Sequence, residues 1–259
     1  MSTADSFAEL ARFYDPIMRH VDYDRWYLVA DALTGLLPRP FRHLDAACGT
    51  GVLLHKLLRD GWNTCGVDLS VSMVRAGKPA SGKWPVAVGD LRALPYADSF
   101  DYVTCLFDSV NFLLSHDELA AGIRSLADCL SPDGVLYFDV VTERMVLDHF
   151  ADQEWTERNG KFSTRWKCDY DRTTRTVETR IQVNSGESYT LYERVYELDE
   201  IDDAVRRAGL QLIGAFDAES WRRPRRKTVR VDYVVTKGDP KRFGTAFRNI
   251  EKHVQSLLR

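Results

Sequence analysis

His43-Leu44-Asp45-Ala46-Ala47-Cys48-Gly49-Thr50-Gly51 is the stretch that decides how this chain folds. A short apolar run closes on an acid, passes through a turn with glycines at 49 and 51, and continues into Val52-Leu53-Leu54-His55-Lys56-Leu57-Leu58, which has helical character. Glycine reaches backbone angles closed to other residues and lets a ligand approach the main chain with no Cβ in the way. The helix that follows presents unpaired N–H groups to a negatively charged moiety. The segment therefore reads as a strand–turn–helix cofactor cradle. A second acid, Asp68, closes the next strand about twenty residues on, the place where such α/β folds set an acid against a ribose.

Outward from that motif the chain alternates strands and helices. Strand 42–46 leads to helix 51–60, strand 63–67 to a helix near 70–77, strand 84–88 to Gly89-Asp90, and strand 101–106 to helix 116–130, with strand 134–141 following the turn Ser131-Pro132-Asp133-Gly134. Apolar strands separated by helices imply a mostly parallel sheet covered on both faces by right-handed crossovers. This core is expected over 41–142. Before it, residues 1–40 read as a helical cap ended by Pro38-Arg39-Pro40. After it, 143–198 carries β-rich segments at 162–170, 174–184 and 187–198, with turns at Asp171-Arg172-Thr173 and Asn184-Ser185-Gly186. It is expected to be an antiparallel insertion serving as lid or dimer surface. Residues 199–238 return to the main sheet through a helix ended by Gly209, and 239–259 form a final helix.

Size and composition narrow the function. A chain of 259 residues buries a full core. The net charge of -3 argues against a wholly electrostatic nucleic-acid partner. No apolar run approaches the roughly 20 residues that cross a bilayer, and Met1-Ser2-Thr3-Ala4-Asp5 does not have the pattern of a secretory leader. Five scattered cysteines, none in a Cys-x-x-Cys pair, read as reduced thiols of a cytoplasmic protein. No His-x-x-x-His pair supports a zinc site, so no metal is expected.

The turn lacks the dinucleotide form Gly-x-Gly-x-x-Gly, since Leu54 stands at its third glycine and Ala47 where a glycine often begins the turn. Together, Asp45-Ala46-Ala47-Cys48-Gly49-Thr50-Gly51, Gly66-Val67-Asp68-Leu69-Ser70, Gly89-Asp90-Leu91, Phe100-Asp101-Tyr102-Val103 and Leu130-Ser131-Pro132-Asp133-Gly134-Val135-Leu136 resemble the class I S-adenosylmethionine (SAM)-dependent methyltransferase family. The resemblance covers roughly 40–142 and continues more faintly through 199–236. It implies a Rossmann-like fold with a seven-stranded, mostly parallel sheet, with SAM as cofactor and S-adenosylhomocysteine as product.

The physics of the ligand agrees. SAM has no pyrophosphate, so the turn at Asp45, Ala47, Cys48, Gly49 and Gly51 need only admit its methionine end, whose carboxylate suits exposed N–H groups. Asp68 at a strand end accepts from ribose hydroxyls, a bond of about 1.5–3 kcal/mol. Leu69 follows it, and Met73 either packs on the adenine or belongs to the core. By resemblance, Asp90 receives the adenine amino group, the Leu91 backbone meets a ring nitrogen, and the backbone of Cys105, Leu106 and Phe107 passes beneath the sulfonium. Tyr14, and more weakly Trp26, resemble aromatic residues that fold over SAM, favourable beside a sulfonium by about 0.5–2 kcal/mol.

On the acceptor side, Asp108, Ser109 and Asn111 either line a pocket or cap the next helix. Trp221 and Arg223 open a basic run, Trp221-Arg222-Arg223-Pro224-Arg225-Arg226-Lys227, in a loop expected near the acceptor mouth. No catalytic pair stands out; Tyr14, Asp108 and His116 are the weak candidates for a base. The expected reaction is in-line transfer of the SAM methyl to a nitrogen or oxygen of a small-molecule acceptor, by a monomer or homodimer. Holding two reactants in line removes several kcal/mol of barrier by itself. Two rivals stay open: an RNA or tRNA methyltransferase using the basic segment 222–227, and a SAM-binding module without catalysis.

Overall fold

Two helices, α1 (Ala11–Ile17) and α2 (Tyr23–Leu33), precede the first strand, and the helical cap is broken between them by the tight turn Met18–His20. The computed structural model describes residues 5–184 and 186–258; Met1 to Ala4, the expected turn residue Ser185 and Arg259 lie outside the described residues. The core then runs β1 (His43–Ala46), α3 (Val52–Arg59), β2 (Thr64–Asp68), α4 (Val71–Gly77), β3 (Val86–Val88), β4 (Phe100–Cys105), α5 (His116–Cys129) and β5 (Leu130–Val141). Ends differ from the sequence reading by a few residues, as hydrogen-bonded boundaries do.

The insertion is not purely β. It opens with α6 (Glu143–His149) and has an unforeseen strand, β6 (Gln153–Asn159), before β7 (Phe162–Asp171), β8 (Thr176–Val183) and β9 (Ser188–Arg194). β6 escapes a period-2 reading because Gln153-Glu154-Trp155-Thr156-Glu157-Arg158-Asn159 is polar apart from Trp155 and gains its order by pairing with β7. The chain returns through α7 (Leu198–Arg207), β10 (Gln211–Asp217) and β11 (Arg230–Thr236), and ends in α8 (Gly244–Leu257).

One sheet has seven strands in the order β10-β11-β5-β4-β1-β2-β3, all running in one direction except β11, which is antiparallel to both its neighbours. The fold is the Rossmann-like one expected, and a separate four-stranded antiparallel sheet holds β6-β7-β8-β9. Leu119, Ile123 and Leu126 of α5 and Ile201 and Val205 of α7 cover one face of the large sheet. Val29 and Leu33 of α2, Leu53 and Leu57 of α3 and Ile250 and Val254 of α8 cover the other. The small sheet turns Ile181, Val183, Tyr189 and Leu191 onto Leu10, Ile17 and Tyr14 of the N-terminal segment. Strand order reverses between β1 and β4, so their carboxyl ends open the crevice in which such sheets bind ligands. Among the described residues, no helix is long and apolar enough to cross a membrane.

Candidate active site

The turn after β1 is held in a conformation that few sequences tolerate. Ala47, Gly49 and Gly51 all have positive φ, at 56°, 58° and 73°. A Cβ on Gly51 would lie 2.4 Å from the Trp84 ring, and one on Gly77 would lie 1.9 Å from the Thr50 carbonyl. The backbone at Gly51 is therefore pressed against the Trp84 ring with no room for a Cβ, and that of Thr50 is pressed as closely on Gly77 of α4. Asp68 fixes the turn from the next strand: one oxygen accepts from Gly49 N–H at 2.7 Å, the other from Ser70 N–H at 2.8 Å. Two bound N–H groups leave further lone pairs on that carboxylate for a hydroxylated ligand. Burial raises its pKa, which those two backbone bonds oppose.

Below the turn, Asp45 is almost fully buried and accepts from Thr104 Oγ at 2.7 Å. Burial pushes its pKa up to about 7 against that hydrogen bond, with the charge of Asp68 adding to the rise. Met73 is buried with its methyl 3.5 Å from the Cβ position of Gly49, so it sits at the crevice rather than elsewhere in the core. Leu69 keeps 44% of its surface exposed, an apolar side chain beside the acid.

The N-terminal segment covers this opening. Thr50 Oγ donates to Asp15 at 2.6 Å and Ser70 Oγ to Asp5 at 2.7 Å, tying the cap to both the turn and the end of β2. Tyr14 lies between Asp68 and Asp108, both of which raise its phenol pKa, after burial and Tyr23. A phenol held that firmly protonated donates a hydrogen bond and does not serve as a base.

On the acceptor side, Phe107 and Asp108 both take positive φ, 61° and 52°. Their N–H groups point at Asp139, at 2.6 and 3.2 Å, so the backbone of Phe107 is engaged by a side chain. Arg230 binds Asp108 Oδ1 at 3.2 Å and also Asp139, while its guanidinium lies over the rings of Trp26 and Phe107. Trp26 is 7% exposed and acts as the floor beneath Phe107 and Arg230. Among the described residues its buried indole N–H has no hydrogen-bond partner.

Not every expected residue lines the crevice. Asn111 is fully buried and its amide is spent: it receives Val141 N–H at 3.0 Å and donates to Arg194 O at 2.9 Å, stapling β5 to β9 instead of lining a pocket. Ser109 Oγ closes its own turn on Leu106 O at 2.9 Å. Trp221 is completely buried, stacked on Phe216 with its indole N–H on Asp232 at 2.9 Å, because its apolar ring finds the α8 side of the core. His116 meets Glu200 at 2.6 Å on the surface, clasping α5 to α7. Asp90 is gripped by Arg92 at 2.6 Å, and this hydrogen bond lowers its pKa, so an adenine amino group there competes with an arginine. Cys105 is fully buried and Leu106 nearly so. Arg223 is exposed, and its loop joins the carboxyl end of β5 through Thr142 Oγ on Thr228 O at 2.7 Å.

Sequence reasoning missed Tyr23, Asp139, Glu193 and Arg230. One signal was available: Asp139 interrupts the apolar run Val135-Leu136-Tyr137-Phe138, and a charge inside a buried strand needs a partner.

With this geometry, comparison with known proteins is decisive. Residues 44–134 match the family model described as a methyltransferase domain. These residues belong to the class I SAM-dependent methyltransferase family. Among relatives of this methyltransferase, the putative methyltransferase YqeM of Bacillus subtilis is 29% identical over 213 residues, covering 78% of this chain and 85% of that one. A Streptomyces venezuelae enzyme, dTDP-3-amino-3,4,6-trideoxy-alpha-D-glucopyranose N,N-dimethyltransferase, is 31% identical over 146 residues, covering 51% of this chain and 60% of its own. The crystal structure of a SAM-dependent methyltransferase from Clostridium acetobutylicum superposes with a TM-score of 0.76 at 25% identity, covering 90% of this chain and 99% of that one.

Proposed function

We infer that this methyltransferase binds SAM in the crevice between the β1 turn and Asp108 and passes its methyl to a nitrogen or oxygen of a small-molecule acceptor. The observation that carries this reading is the Asp68 carboxylate bridging Gly49 and Ser70 at the mouth of a positive-φ turn whose Gly51 has no room for a Cβ. In the proposed arrangement Gly49 and Gly51 admit the methionine end, Asp68 takes the ribose hydroxyls, and Leu69 and Met73 flank the adenine. Tyr14 turns its ring to the sulfonium, and Asp108 faces the acceptor. Bound SAM supplies a methyl already activated on a positively charged sulfur.

The protein's share is enclosure and alignment. The bonds from Thr50 to Asp15 and from Ser70 to Asp5 hold the N-terminal cap over the crevice, and the small sheet packs on that cap as a lid. Similarity to an aminosugar N,N-dimethyltransferase supports a small acceptor. Calorimetric titration with SAM tests the reading, followed by mass spectrometry of products from a panel of small amines and alcohols. No heat on titration overturns it.

One observation favours a second acceptor class. Arg222, Arg223, Arg225, Arg226 and Lys227 are exposed in the loop that enters β11, beside the carboxyl end of β5 and so at the crevice edge. RNA binding whose affinity falls steeply with salt would move the assignment to an RNA methyltransferase.

A further inference from the structure

β9 brings a carboxylate into the crevice that the reading above does not use. Alternation along that strand puts Tyr189, Leu191 and Glu193 on one face. Tyr189 and Leu191 pack against the cluster that holds Tyr14 and Phe112. Glu193 continues the same face, opposite Val177 of β8, whose neighbours are the apolar side chains of Val146, Cys168 and Tyr170. A glutamate at the end of an apolar row, facing inward, has no packing reason to be there.

Three further facts give it a task. Its carboxylate lies deep in the protein and feels the charges of Asp108 and Arg230, yet the residue keeps accessible surface, as a group on the wall of an internal crevice does. Among the described residues no hydrogen bond or ion pair engages it, whereas Asp139 and Asp108 both hold Arg230. Three acids therefore face one arginine. Arg194, the next residue, points to the other face of the strand and lies over Tyr196. The two phenols near Asp108, Tyr14 and Tyr23, both stay neutral: burial drives the first well above its usual range and the second up to about 12. The acceptor side is short of positive charge.

We propose that Glu193 receives the acceptor as an ammonium ion and takes the proton that this nitrogen must shed before its lone pair is free. The inference rests on the SAM-crevice reading and assigns the missing base to the β insertion. In the step, one N–H bond of the ammonium breaks, an O–H bond forms on the carboxylate, and the electron pair stays on nitrogen. Burial pushes the Glu193 pKa up to about 8, with Asp108 adding to the rise and Arg230 opposing it, which suits removal of a proton from an amine.

The test needs no knowledge of the acceptor. Sinefungin carries an amine where the sulfonium of SAM carries its methyl, and S-adenosylhomocysteine carries nothing there. Both are titrated calorimetrically into the full-length protein and into Glu193→Gln. The expected result is unchanged homocysteine-analogue affinity and a loss of about ten-fold or more in sinefungin affinity for the variant. In the wild-type protein the preference for sinefungin should rise between about pH 7 and about pH 9 as the carboxylate ionises. That measurement stands even if the variant does not fold. An equal ratio of affinities in protein and variant overturns the proposal, as does a preference that is flat with pH. Failure of the wild-type protein to bind either nucleoside overturns the crevice reading instead.

Discussion

Asp139 of β5 and Asp232 of β11 are direct cross-strand partners in the central sheet, both with no accessible surface. Like charges at opposed positions repel. Each is held by its own arginine: Arg230 on Asp139, and Arg25 on Asp232 at 2.5 Å. The two pairs are not equivalent. Asp232 also accepts from Trp221 and serves the core, whereas Asp139 receives the N–H groups of Phe107 and Asp108 and so shapes the loop at the crevice.

Arg230→Met should strand Asp139 and Asp108 as buried charges without a counter-ion. The expected cost is about 3–5 kcal/mol in urea unfolding. A loss below about 1 kcal/mol would mean that the carboxylates find other partners or stay protonated.

Gly77→Ala should destabilise the protein by about 1–3 kcal/mol, because the new Cβ meets the Thr50 backbone at 1.9 Å and no flexible side chain is there to yield. Gly244→Ala, at the start of α8 with only the Arg248 guanidinium 4.0 Å away, should be neutral or slightly stabilising. SAM affinity should fall in the first variant alone, since only it displaces the turn.

His43 and Asp45 give opposed pH dependence from one face of β1. Burial lowers the His43 pKa to about 3, between the hydroxyls of Thr64 and Thr104. The unfolded chain then binds the extra proton below its usual value of about 6.5, so stability from neutral His43 is full above that pH and lost as pH falls towards 3. Asp45 has its pKa raised, so the folded state binds the extra proton: its contribution is full below the unfolded value and is lost as pH rises through about 7. His43→Asn should flatten the loss of stability between about pH 6 and about pH 4, read from urea midpoints. An unchanged slope would show that His43 is not held neutral.

Asp15→Ala removes the acceptor for Thr50 Oγ and loosens the cap over the crevice. SAM dissociation should quicken by about ten-fold in stopped-flow measurements, with thermal stability little changed. Equal rates would place the cap's closure elsewhere.

The sequence alone determined the parts that depend on neighbours along the chain. The glycine turn, the acid that ends β2, the alternation of strands and helices and the existence of a β insertion all follow from local backbone allowance and apolar periodicity. The same reasoning went astray at Trp221 and Asn111, because a residue type that suits a pocket also suits a core, and only burial separates the two. Tertiary structure alone decided the acceptor side. Asp108 and Arg230 stand 122 positions apart, and Arg25 and Asp232 stand 207 apart. Glu193 reaches them through a separate sheet whose packing on the N-terminal helix no local pattern records. Charges buried together in this way are legible only once the fold has brought them within reach of one another, since their energies depend on distance and desolvation and not on position in the chain.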